Sequence, residues 1–85
     1  MADAGEMRDG WGTYRDEMEA ANRTLREVAG SLENTQRGLA DLLAGARGEG
    51  PTIVFTVEGS IERILQAAGA LAAAIETGDE YIGGL

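Results

Sequence analysis

The sequence predicts an all-α fold, a two-helix antiparallel hairpin that pairs with a second hairpin into a four-helix bundle. Three observations carry this expectation. Core-compatible residues recur at alternating spacings of four and three along the first half; the only proline stands in a glycine-rich cluster near mid-chain; and a second spaced series follows it.

The first series runs through Met7, Trp11, Tyr14, Met18, Ala21, Leu25, Val28, Leu32, Thr35, Leu39, Leu42 and Ala46. Spacings of this kind form the seam of a helix packed along its length against another helix, here over residues of about 4–46. Asp3 and Glu6 precede the first apolar residue at capping-box spacing, so Asp3 is expected to accept from a free backbone N–H. Glu19 with Arg23 and Glu33 with Arg37 are set for i,i+4 pairs on a solvated face, each contributing about 0.2–0.5 kcal/mol. Gly10 and Gly12 mark a place where the helix start is expected to fray or kink. Trp11 and Tyr14 fit successive seam positions, and either one also suits an aromatic anchor for a partner.

Residues 47–51 are expected to form the turn, with Gly48, Gly50 and Pro51 as its breakers. The stretch reads G-x-x-x-x-G-P-T, one residue away from a phosphate-binding loop. Pro51 stands where the phosphate-binding lysine belongs, and the stretch follows a helix instead of a strand, so a helix-to-helix turn is the better account.

Two readings compete over residues 52–57. Their β-branched and aromatic composition looks like a short strand, in which case Ser60 would cap a helix beginning at Ile61. A seam through Val54, Val57, Ile61, Ile64, Ala68, Leu71, Ile75, Gly78 and Ile82 instead starts the second helix at about residue 52 and carries it to about 82. The helix is favoured, because a lone strand needs a partner. Residues 67–75 are small or apolar on every face, more than one hairpin partner can cover, and 85 residues make a marginal core, so oligomerisation is expected. Gly78 is expected to loosen or end the helix, leaving a short acidic tail.

Composition removes several classes of function. The chain has 85 residues, a net charge of -8, 15 acidic residues against 7 cations, all of them arginine, and no His or Cys. Without Cys there are no disulfides, thiolate nucleophiles or Cys-based zinc sites; without His, the usual general base and commonest metal ligand are missing. The acidic balance opposes nucleic-acid binding. No apolar run reaches the ~20 residues a membrane span needs, and residues 1–12 do not resemble a secretory leader. No catalytic residue, cofactor or metal is expected, and the carboxylates at Asp16, Glu17, Glu19, Asp79 and Glu80 fit solvated faces.

Two long helices around a glycine-bearing turn, in a small acidic chain without cysteine, resemble the WXG100 (ESAT-6-like) superfamily of type VII secretion substrates. In that family a Trp-x-Gly motif sits at the turn and a tyrosine with an acidic residue four positions later follows the second helix. Here the turn keeps only Gly48, and Tyr81 stands where the family tyrosine would, with Leu85 four residues on; Trp11 and Gly12 form the one Trp-Gly element, at the other end of the helix. Residues 71–82 also look like the ends of short actinobacterial helical proteins, some linked to secreted toxins. The resemblance implies a non-enzymatic adaptor or chaperone that dimerises with itself or a related helical chain, including a segment of a larger secreted protein. It also implies a cytoplasmic location or export without a cleaved signal, with Tyr81 in an export or partner-contacting tail.

The interface expected from the seams comprises Trp11, Tyr14, Met18, Leu25, Val28, Leu32, Leu39 and Leu42 on the first helix. On the second it comprises Val57, Ile61, Ile64, Leu71 and Ile75. Two other functions fit the same sequence: a structural subunit of a phage or sheath-like assembly, using residues 52–57 as a strand, and a small regulator of a toxin or defence protein acting through its acidic surface.

Overall fold

The computed structural model describes residues 2–45 and 47–85, which form two helices, α1 (Ala4–Leu42) and α2 (Gly50–Gly83). They lie antiparallel as a hairpin measuring 62 × 18 × 15 Å. The open end holds the start of α1 and the finish of α2; the closed end holds the turn.

Asp3 begins α1 as expected, its carboxylate accepting the Glu6 backbone N–H at 2.8 Å. The glycines at 10 and 12 do not interrupt the helix, which is continuous from Ala4. It finishes at Leu42, sooner than the sequence pattern implies, and Leu43 closes it by donating to the Leu39 carbonyl at 2.9 Å. The chain then turns through Gly45 and Gly48, at φ of 80° and 72°, a left-handed conformation that side chains with a Cβ resist. Ala46, the last seam position expected of the first helix, lies outside the described residues.

Gly50 and Pro51 belong to the first turn of α2 and not to the preceding loop. Proline is well placed there because the N–H it lacks would have no helical partner. The strand reading of residues 52–57 is corrected: the whole stretch is helical. Val54 and Val57 turn toward α1, and their burial outweighs a helix-propensity penalty of a few tenths of a kcal/mol for each β-branched residue. Ser60 caps nothing, since its hydroxyl donates back to the Thr56 carbonyl at 3.2 Å. Gly78 does not end α2, which runs on to Gly83.

The seam of α2 lies where the sequence places it. Val54, Val57, Ile61, Ile64, Ala68, Leu71, Ile75, Gly78 and Ile82 are all buried or half-buried. The seam of α1 does not. Met18, Leu25, Leu32 and Leu39 face α2 as expected, but the alternate positions are shifted by one residue, to Arg15, Asn22, Ala29, Gln36 and Leu43. Ala29 is 1% exposed, whereas Val28 is 42%, Tyr14 63% and Leu42 77% exposed. The core is correspondingly lean, consisting of Ala29, Ile61, Ala68 and Ile75.

Two polar residues explain the shift. Asn22 stands in the seam because its side-chain amide donates to the Ala68 carbonyl, and Arg15 because it reaches Asp79 across the pair. Polar groups with partners can occupy a seam at little cost. The small side chains at positions 29 and 68 let the helices approach around them.

Candidate interaction surface

At the open end, three side chains lock α1 to α2. The Trp11 ring lies over Gly78, where a Cβ would overlap its six-membered ring. The indole Nε1–H donates to Asp79 Oδ1 at 2.9 Å. Arg15 donates to the same carboxylate in a fork, Nε to Oδ1 at 2.8 Å and a terminal nitrogen to Oδ2 at 2.9 Å, while its other terminal nitrogen pairs with Glu19 at 2.5 Å. Trp11 is therefore an anchor within the hairpin, and Asp79 is an interhelical ligand instead of a solvated carboxylate. Among the described residues these two contacts of Arg15 are the ion pairs; the expected pairing of Glu19 with Arg23 is replaced by Arg15, and none joins Glu33 to Arg37.

The clasp shifts both of its charged groups in the direction its geometry requires. Hydrogen bonds from Arg15, and then from Trp11, hold the Asp79 carboxyl below the usual carboxylate range. Asp79 in turn holds the Arg15 guanidinium more firmly protonated, with a smaller push from Glu19. A depressed carboxylate contributes stability above its unfolded value, near 4, and that contribution is lost as pH falls through the lower folded value. Asp79→Asn is therefore expected to melt below the wild type at pH 7, with the two melting curves converging as the solution is acidified below about pH 4. Thermal unfolding by circular dichroism across this range checks it; a difference that grows on acidification would contradict the clasp.

The shifted α1 seam has a second effect. Met7, Tyr14, Ala21, Val28, Thr35 and Leu42, spaced every seven residues, form a row beside the helix contact instead of inside it, and all but Met7 are exposed. On α2 the row Ile53, Ser60, Ala67, Ala74 and Tyr81 repeats the same spacing. Tyr14 and Tyr81 border one hollow at the open end together with Met7 and Ile82, which puts the two rows on the same side of the hairpin. No charged residue stands in either row. By helical register the flanking positions outside them carry only Glu17 and Arg63, with Glu6 at the rim of the open-end hollow.

Four hydroxyls on this side are turned inward. Thr24, Thr35, Thr56 and Ser60 each donate to the carbonyl four residues back, at 3.1, 3.1, 2.8 and 3.2 Å. A hydroxyl satisfied by its own helix presents carbon to the outside and asks little of water or of a partner. The opposite side is charged: Glu19 and Arg23 border one groove there, and Glu33, Arg37, Glu58 and Glu62 border another.

The residues expected at the interface thus divide between two surfaces. Trp11, Met18, Leu25, Leu32, Leu39, Val57, Ile61, Ile64, Leu71 and Ile75 face the partner helix of the same chain, while Tyr14, Val28 and Leu42 lie on the neutral face with Tyr81. Sequence reasoning missed the α2 row and the Arg15–Asp79 pair. The row was detectable as an uncharged seven-residue repeat; the pair, 64 residues apart, left no local signal.

No protein-family model, no curated protein and no solved structure matches this chain. No helix is long and apolar enough to cross a membrane among the described residues.

Proposed function

We propose that this protein is a non-enzymatic docking module that works by laying its neutral face against other helices. The observation that carries this reading is the pairing of two uncharged heptad rows, in which the Thr35 and Ser60 hydroxyls donate to their own helices, along a hairpin otherwise rich in charge. Exposed rows of this length favour association through burial, since each large aliphatic side chain removed from water contributes about 1.5–3 kcal/mol. The resemblance to the WXG100 superfamily supplies the setting: an adaptor or chaperone in a type VII secretion-like system, with Tyr81 on the docking face near the end of α2. The sheath-like alternative loses the strand on which it depended.

Val28→Glu tests the reading. It places a charge mid-row without touching the α1–α2 contact, so the helical signal should be retained while association with the product of a neighbouring gene falls at least tenfold in native mass measurements. Equal association by wild type and variant would reject the face as the docking surface, and absence of any associated species for the wild type would reject the function. Leu32→Asp, by contrast, is expected to damage the hairpin itself, because Leu32 belongs to the α1–α2 seam.

A further inference from the structure

We propose that the hollow at the open end is a binding site for a small quaternary ammonium cation. The ligand class is a trimethylated nitrogen on a short neutral chain, as in choline. The inference goes beyond the docking reading and does not depend on it.

Aromatic side chains gather at this hollow. The chain has four of them, one Trp, two Tyr and one Phe. Trp11 and Tyr14 from α1 and Tyr81 from α2 all border the hollow, while Phe55 borders a groove at the closed end. The hollow measures about 450 Å³, a size suited to a small ligand, and Met7, Gly78 and Ile82 add carbon to its lining. Both tyrosines are exposed, so their rings are not used up in the contact between the helices.

Trp11 is fixed before any ligand arrives. Its ring rests over Gly78 and its N–H donates to Asp79, so it has no hydrogen bond left to offer and contributes only its ring. Asp79 is in turn gripped by Arg15. A site already held in one arrangement loses less affinity to ordering.

Charge selects the ligand. Among the described residues Glu6 is the one charged group that borders the hollow, and the chain as a whole carries -8. Aromatic faces attract cations, and tryptophan does so best. An anion would meet a carboxylate and no basic group. A primary ammonium would bring three N–H donors to a lining that offers Glu6 as its only carboxylate. A trimethylated nitrogen has no N–H to satisfy, spreads its charge over methyl groups that pack against rings, and retains Glu6 as counter-ion. An anion close to that nitrogen, as in glycine betaine or a phospholipid headgroup, would be opposed by Glu6, so the free cation is the source that fits.

The methyl protons of choline report on the site directly, because the faces of aromatic rings move their resonance upfield. Adding the full chain to choline chloride should produce such a shift, with an affinity in the millimolar range. Trp11, the only tryptophan, should change its emission over the same range of concentration. Dimethylbutanol, in which carbon replaces the nitrogen of choline, should bind about tenfold more weakly, as should glycine betaine. Tyr14→Leu combined with Tyr81→Leu should weaken choline binding about tenfold with the helical signal retained, since both residues are exposed. Tyr14→Phe combined with Tyr81→Phe keeps the rings and should recover the affinity. Glu6→Gln should weaken binding about threefold.

Absence of an upfield shift at tens of millimolar choline overturns the inference. So does equal affinity for the uncharged isostere, which would make the hollow a general apolar site, or undiminished choline binding by the double leucine variant. Binding to phosphatidylcholine vesicles without binding of free choline overturns it as well, by assigning the hollow to a lipid surface.

Discussion

Replacing Gly78 by valine is expected to destabilise the hairpin by about 1–3 kcal/mol, the usual cost of forcing extra atoms into a filled contact. The space a Cβ would need is occupied by the Trp11 ring, so the indole must swing out and give up its hydrogen bond to Asp79. The same region of sequence provides the opposite control. Gly69 is also inside α2 and exposed, with nothing within 4 Å of its would-be Cβ, so Gly69→Ala should stabilise by about 0.5–1 kcal/mol through helix propensity alone. Chemical denaturation measures both, and Trp11 fluorescence should move to longer wavelength in the Gly78 variant only. Equal signs at the two positions would refute the Trp11–Gly78 packing.

Truncating Ile61 to alanine is expected to have the larger effect, about 2–4 kcal/mol. Ile61 is 6% exposed in a core whose other buried side chains are Ala29, Ala68 and Ile75, so little remains to close over the gap. Two-helix hairpins of this length are marginal, and a loss of that size is a large part of the stability a small domain possesses. The far-ultraviolet circular dichroism of Ile61→Ala should show substantial loss of helix at 37 °C, whereas Leu65→Ala, partly exposed on the charged side, should retain it. An Ile61→Ala chain as stable as the wild type would mean that the helices are held mainly by something other than this seam.

Both helices, their antiparallel pairing and every seam position of α2 were legible in the spacing of residues, because burial on one stripe repeats at a fixed period. The seam of α1 was legible at Trp11, Met18, Leu25, Leu32 and Leu39, and not at the positions that alternate with the last four. On either side of that line α1 has a candidate row: Tyr14, Ala21, Val28, Thr35 and Leu42, or Arg15, Asn22, Ala29, Gln36 and Leu43. Apolarity selects the first. The hairpin uses the second, since Arg15 and Asn22 find partners on α2 that no local pattern reveals. The docking face follows from that choice, as the more apolar row is the one left outside. At residues 52–57 local β propensity was misleading for the converse reason: the long-range seam prevailed over it.

The rows of this chain hold one flank at a period of seven, while a straight α-helix would carry such a row round by about 20° each heptad. Over the five heptads from Met7 to Leu42 the drift would approach 100°, enough to carry one end of the row away from the flank it starts on. Rows that stay aligned belong to helices wound round each other with a left-handed pitch. The neutral surface is then a twisted ribbon and not a flat plate. A straight or oppositely wound rod can touch such a ribbon only at a single crossing, whereas a strand of the same hand can follow it from Tyr14 to Leu42. Chirality thus adds a filter to apolarity, admitting as full-length companions only helices that share this winding.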